Sequence, residues 1–205
     1  MKKIILTQIP VGHMQNFAYV LVDAASKKAA VVDPGWDAEK IISVLEEGGA
    51  DLSAVWLTHT HFDHVKALPG ILAYKKVPVY VHPLEREMLK LENADVQDLS
   101  DGLHLQLGEA QVTCHHTPGH SPGMICFEGE DFLITGDMLF IDACGRVDLP
   151  DSNPEDMQRS LEKLRTLSDE LIVYPGHDYG ETSCARLGEQ KKTNPFLQHN
   201  VRMKG

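Results

Sequence analysis

Thr58-His59-Thr60-His61-Phe62-Asp63-His64 is the stretch on which the reading of this chain turns. Three of the eleven histidines and one carboxylate fall within the six positions from His59 to His64. Neutral imidazoles and carboxylates are the ligands of zinc and similar divalent ions. Upstream, residues 52–57 are apolar enough for a buried strand that runs straight into His59. An extended His-x-His sends both rings to the same side, because side chains alternate with period 2. Asp63 and His64 can then turn into a following helix and face a second ion. The plainer alternatives are a solvated histidine-rich loop, or Asp63 as a helix cap; a buried strand seldom anchors a loop of that kind.

Working outward, three further polar groups stand at strand exits. His120 lies in the turn His116-Thr117-Pro118-Gly119-His120-Ser121-Pro122-Gly123. Asp137 ends Phe132-Leu133-Ile134-Thr135-Gly136, where a carboxylate is costly unless paired or metal-bound. His177 follows Ile172-Val173-Tyr174-Pro175-Gly176. Singly these are a turn histidine, a capping Asp and a loop histidine; together with the first motif they point to one site. Gly119-His120-Ser121-Pro122-Gly123 also matches the G-x-S-x-G nucleophile elbow, with Asp137 and His177 following in serine-hydrolase order. Pro122 excludes that reading, since it has no N–H for an oxyanion hole, and Met124 to Phe127 reads as a strand where the elbow needs a helix.

The remainder of the chain suits a globular enzyme. Its 205 residues carry 30 acidic and 19 basic side chains, a formal charge of −11, which argues against nucleic acid and against anionic membrane surfaces as partners. Hydrophobic residues make up 42%, enough for a sizeable core. The start, Met1-Lys2-Lys3-Ile4-Ile5-Leu6, resembles a signal peptide, but its apolar run falls short of the roughly 7–15 residues required. No stretch approaches the ~18 apolar residues of a membrane span. Cys114, Cys126, Cys144 and Cys184 form no C-x-x-C pair, which fits a reduced, cytoplasmic setting. Strands are expected at 3–9, 16–22, 29–32, 52–57 and 171–174, with further short strands between 103 and 135. Helices are expected from Asp37 to Glu47, from Leu84 to Leu91 after Pro83, and over 154–167 behind an Asn153 cap. The two halves echo one another weakly, each running strand, turn, helix, strand, histidine.

His-x-His-x-Asp-His, Pro118-Gly119-His120, Thr135-Gly136-Asp137 and Pro175-Gly176-His177 together resemble the metallo-β-lactamase superfamily. Within it, Gly136-Asp137-Met138-Leu139-Phe140, Gly145-Arg146-Val147-Asp148-Leu149-Pro150 and Asn194-Pro195-Phe196-Leu197 are similar to the glyoxalase II-like hydrolases. The resemblance spans about residues 4 to 197 and implies an α/β, four-layer αβ/βα sandwich, two mixed sheets flanked by helices. It implies one domain over 1–205, without the C-terminal helical domain that carries much of the glutathione pocket in full-length enzymes. His59, His61 and His120 would hold one divalent ion, Asp63, His64 and His177 a second, with Asp137 bridging; zinc comes first, and iron or manganese also suit these donors. A hydroxide shared by ions ~3.5–4 Å apart would attack the carbonyl of a small-molecule thioester such as S-lactoylglutathione, with Asp63 orienting or shuttling a proton. Arg146 and Tyr179 match substrate contacts of the family, their alternatives being a surface salt bridge and ordinary packing. Asp148 stands where the family often has a second contacting Tyr, and Lys66 puts an unexpected charge near the site. The rival within the superfamily is a persulfide dioxygenase holding one Fe(II) on His59, His120 and Asp137. The bridging Asp137 argues against typical β-lactamases, and the charge against an RNase. A purely structural metal would favour Cys-rich ligands, and only Cys114 lies beside a ligand motif.

Overall fold

Two six-stranded sheets face one another in the computed structural model, which describes residues 2–89, 91 and 94–198. The first sheet runs in chain order: β1 (Ile4–Val11), β2 (Asn16–Asp23), β3 (Lys28–Val32), β4 (Asp51–Trp56), β5 (Val79–Val81) and β6 (Val96–Asp98). Its first three strands are antiparallel, and the pairs from β3 to β6 are parallel. In the second, β7 (His104–Leu107), β8 (Ala110–His116), β9 (Ile125–Glu128) and β10 (Phe132–Gly136) are antiparallel. A ribbon of β11 (Leu139–Phe140) and β12 (Ala143–Cys144) intervenes, and β13 (Ile172–Pro175) then pairs parallel with β10, while β14 (Ala185–Arg186) closes the far edge. Helices α1 (Ala38–Glu47), α2 (Phe62–Val65), α3 (Leu68–Tyr74), α4 (Pro83–Arg86), α5 (Pro154–Arg165) and α6 (Leu187–Thr193) complete the regular elements.

The layering follows from side-chain alternation. All eight residues of β2 are buried. Phe17, Tyr19 and Leu21 face the second sheet, and Ala18, Val20 and Val22 face Ile41 and Leu45 of α1 and Ile71 of α3. A strand buried on both faces must read as a continuous apolar run, which is how 16–22 reads. Trp56 meets Phe127 between the sheets at 5.6 Å, and Met157, Leu161 and Leu164 of α5 cover the outer face of the second sheet. The result is the four-layer αβ/βα arrangement expected from the sequence. Each half also contains an antiparallel pair, a crossover helix and a parallel strand, so the weak echo in the sequence has a counterpart in topology.

Local signals succeed where the chain is self-sufficient. Asn153 caps α5, its Oδ1 accepting from the amides of Glu155 (2.9 Å) and Asp156 (3.0 Å). The helix expected over 84–91 is a correction: it ends at Arg86, and Lys90 lies outside the described residues. Leu84 and Met88 point outward at 60% and 64% exposure, while the buried side chain of the helix is Glu85. Helices α3 and α6 and strands β5 and β6 carry no clear periodic signal and were not expected. None of the helices among the described residues is long and apolar enough to cross a membrane. All four cysteines are free, and burial pushes the Cys126 thiol up to about 12.

Both sheets end at one edge, where the chain stitches them together. Ile125 N donates to Thr58 O and Phe17 N to Gly176 O, each at 2.8 Å. Tyr19 donates its buried hydroxyl to Pro175 O. This edge is where β4, β10 and β13 deliver their following loops.

Candidate metal centre

Seven side chains converge at that edge: His59, His61, Asp63 and His64 after β4, His120 after β8, Asp137 after β10 and His177 after β13. All are buried except His61, which is half-buried. They form two groups whose ligand atoms lie within 4.8 Å of one another, His59 with His61 and His120, and Asp63 with His64 and His177. Asp137 touches both. Its Oδ2 is 3.4 Å from His120 Nε2 and 3.3 Å from His177 Nε2, and its Oδ1 is 3.3 Å from His64 Nε2.

The outer nitrogens of the rings are tied down. His177 Nδ1 donates to Met14 O (2.9 Å) and His120 Nδ1 to Arg146 O (3.0 Å). His64 Nδ1 donates to Asp33 Oδ2 (3.1 Å). Thr58 gives its hydroxyl proton to the same Asp33 oxygen (2.6 Å), so its Oγ1 accepts from His59 Nδ1 (3.0 Å). Partners of this kind fix the tautomer and aim the other nitrogen. Four Nε2 atoms therefore point inward, and His61 turns Nδ1 inward, 2.9 Å from His120 Nε2. His64 and His177 bring Nε2 to Nε2 at 3.3 Å. Inward-facing lone pairs this close need a cation between them.

Buried polar atoms without a hydrogen-bond partner mark the same place. His59 Nε2 and Asp137 Oδ1 are two of the three such side-chain atoms found among the described residues, and an orphaned buried group asks for an ion or water. Burial pushes the His59 pKa well below its ordinary value and lowers that of His61, keeping both rings neutral and ligand-ready. For His64, burial lowers the pKa, but the Asp137 and Asp33 carboxylates more than offset it and hold it well above the usual range. Asp137 is the mirror case: burial raises it, and the His64 charge beside it carries it well below. The donor set fits two divalent ions.

Packing permits this convergence only because of glycine. A Cβ on Gly176 would run into Asp137 Oδ1 and stand 2.9 Å from His64 Cε1. One on Gly145 would strike Asp137 O and stand 3.1 Å from His120 Nδ1.

Three positioning residues were not singled out from sequence. Asp33, in the left-handed region at φ 48°, serves both groups at once, through Thr58 to His59 and directly to His64. It lies near His59 and His64 as a third possible ligand, but its oxygens are taken by the Thr58 amide (2.8 Å), the Thr58 hydroxyl and His64 Nδ1. Asn16 donates to Asp63 Oδ2 (2.9 Å) and is itself held by Trp36 Nε1 (3.1 Å). Glu85, buried, accepts from Thr60 N (3.1 Å) and Thr60 Oγ1 (2.6 Å) with one oxygen and from Gly123 N (2.9 Å) with the other. It clamps the loop between His59 and His61 to the loop after His120. The only sequence signal for Asp33 is its Asp-Pro-Gly turn; Asn16 and Glu85 have none.

A cavity of about 340 Å³ opens over the site, lined on one side by His61, Asp63, His120, Asp137 and His177. Its rim is mostly apolar, with Met14, Phe62, Phe140, Leu149, Pro150 and Tyr179. Tyr179, half exposed, stacks on His177 at 4.6 Å with ring planes 12° apart. Arg146 lines the rim, but its guanidinium is paired with Asp148, Nε to Oδ1 at 2.8 Å and Nη2 to Oδ2 at 2.9 Å. Lys66 does not line the cavity: its ammonium sits 4.0 Å over the Trp36 ring, which is 6.2 Å from Phe62. The elbow reading fails in structure too, since Ile125–Glu128 is a strand.

Comparison with known proteins agrees with this architecture. The family model of the metallo-beta-lactamase superfamily matches residues 11–177. A probable polyketide biosynthesis zinc-dependent hydrolase, PksB of Bacillus subtilis, is 31% identical over 184 residues, covering 89% of this chain and 82% of that protein. Among solved structures, the B3 metallo-beta-lactamase BLEG-1 superposes with a TM-score of 0.82 at 32% identity, covering 94% of this chain and 99% of the other. ETHE1 from Myxococcus xanthus gives 0.85 at 28% identity, covering 97% and 86%.

Proposed function

The chain belongs to the metallo-beta-lactamase superfamily and is a metal-dependent hydrolase, and from that premise we propose that it cleaves a thioester, the substrate class that includes S-lactoylglutathione. The observation that carries the reading is Asp137 Oδ2, poised 3.4 Å from a nitrogen of one histidine group and 3.3 Å from a nitrogen of the other. In this reading His59, His61 and His120 would hold one ion and Asp63, His64 and His177 a second, with Asp137 placed to serve both. When bound, two divalent ions, zinc foremost and iron or manganese also suited to these donors, supply Lewis acidity and a nucleophile at neutral pH.

The chain's own residues do the rest. The cavity seats the acyl carbonyl over the histidines, with Phe62, Phe140 and Tyr179 excluding water from the rim. Asp63, fixed by Asn16 on one side, takes the proton of the attacking water on its carboxylate and passes it to the departing sulfur. The C–S bond breaks as the C–O bond forms, giving a carboxylic acid and a thiol, and the acid then releases its proton to solvent as the carboxylate. A thiol ionises near pH ~8.5, so its thiolate leaves with little assistance and no separate general acid is required. Tyr179 offers a flat face to the substrate, and Arg146 stands at the outer end of the cavity. The partner is a small molecule; a net charge of −11 opposes nucleic acid.

A second reading rests on the contact between Asp137 and His120 (3.4 Å), which with His59 forms a two-histidine, one-carboxylate face suited to a single Fe(II) and a persulfide substrate. One experiment separates the two: elemental analysis of protein purified without added metal, paired with hydrolysis of S-lactoylglutathione and S-acetyl-N-acetylcysteamine. Two ions per chain with thioester cleavage is the expected result. One iron, no cleavage, and O₂ uptake with glutathione persulfide would overturn it.

A further inference from the structure

The cavity is poorly charged for the thiol carrier that its family resemblance suggests. Glutathione brings two carboxylates and one ammonium, a net charge of −1, and a site built for it needs free cations at the rim. Among the described lining residues the one Lys or Arg is Arg146. One edge of its guanidinium, Nε and Nη2, is already taken by both oxygens of Asp148, which neutralise its charge and leave only the Nη1 side open. Asp151 adds a further carboxylate to the same wall. Lys66, the nearest other candidate noted from the sequence, is parked on Trp36. A carboxylate of the substrate would therefore meet an already neutralised guanidinium, with the Asp148 carboxylate at its other edge. What remains of the rim is Met14, Phe62, Phe140, Leu149, Pro150 and Tyr179, a surface for an uncharged chain.

We propose that Asp148 is a specificity-determining residue: by pairing with Arg146 and neutralising it, Asp148 weakens the cavity's cationic group as a partner for carboxylates, so that the site takes thioesters on an uncharged, amide-linked thiol arm of the N-acetylcysteamine or pantetheine class in preference to glutathione. The inference deepens the thioesterase reading and rests on it for the reaction, but its selectivity is measurable by binding alone. The test uses metal-loaded protein and two non-cleavable thioethers with the same alkyl group, S-butylpantetheine and S-butylglutathione, by titration calorimetry. The wild type should bind the pantetheine thioether at least tenfold more tightly. Asp148→Ala and Asp148→Asn should gain about tenfold for the glutathione thioether with less than a twofold change for the other. Adding Arg146→Ala to Asp148→Ala should erase that gain. Equal binding of the two thioethers by the wild type, or an unchanged ratio in both Asp148 variants, would overturn the proposal. Cleavage of the matching thioesters is assayed in parallel. Selective binding without any cleavage would refute the thioesterase reading while upholding the selectivity; cleavage with the glutathione thioester preferred would do the reverse.

Discussion

Replacing Glu85 should weaken one half of the metal centre and leave the other nearly intact. Its carboxylate is 3% exposed and accepts three hydrogen bonds, from Thr60 N, Thr60 Oγ1 and Gly123 N. Glu85→Ala leaves two backbone amides without acceptors; the Thr60 hydroxyl retains the Glu85 carbonyl at 3.4 Å. Each orphaned buried donor costs about 1–3 kcal/mol, so the variant should lose about 4 kcal/mol, a large part of the roughly 5–15 kcal/mol that holds a domain folded. Glu85→Gln keeps one acceptor oxygen and should lose about 2 kcal/mol. With a urea dependence of about 2 kcal/mol/M, the metal-free midpoints should fall by about 2 M and about 1 M. Thr60 lies between His59 and His61, and Gly123 follows His120, so the strain falls on one triad. A partner lost behind metal ligands typically costs 10–100-fold in affinity. Titration against a chromophoric chelator should show that loss for one ion in Glu85→Gln, with the other within about twofold. Equal weakening of both ions, or of neither, would refute the idea that Glu85 acts through the two loops it joins.

Three further outcomes follow from the same geometry. Asp137→Ala should lose both ions and all turnover together, since its oxygens face His64, His120 and His177; a variant retaining two metals by elemental analysis and normal turnover would show that Asp137 does not bridge. Gly176→Ala should keep its far-ultraviolet circular dichroism but lose metal, because the new methyl meets Asp137 Oδ1 and His64; unaltered metal content would mean that the loop relaxes at no cost. Hydrogen bonds from Lys28 and Lys75 lower Asp51 from 3.8 to about 2. A carboxylate depressed in the folded state contributes stability that is complete above the unfolded value and fades as pH falls towards about 2. The wild-type thermal midpoint should therefore drop more steeply than that of Asp51→Asn between about pH 4 and 2. High salt should blunt the difference, as befits an exposed pair; parallel curves would remove Asp51 from the acid response.

What the sequence determined by itself is local or strongly patterned. Residues 16–22 are apolar on both faces and formed a strand buried on both faces. Asn153 before Pro154 formed a capped helix, and the histidine motifs at strand exits were legible because metal ligands are few in kind and cluster in the chain. The helix over 84–91 misled because a proline in the first turn marks where a helix can start, not how far it runs, and here Leu84 and Met88 face solvent. Only the tertiary structure decided which ordinary polar residues matter. Asp33 reaches His64 across 31 positions, Asn16 reaches Asp63 across 47, and Glu85 reaches Gly123 across 38. In sequence these are a turn aspartate, a strand-end asparagine and a helix glutamate, types used everywhere on protein surfaces. Their roles come from being buried against a particular donor after both sheets close, and burial is a property of the folded chain. Arg146 makes the same point from the other side: the sequence offered a cation at the rim, and the folded chain pairs its guanidinium with Asp148, two positions on.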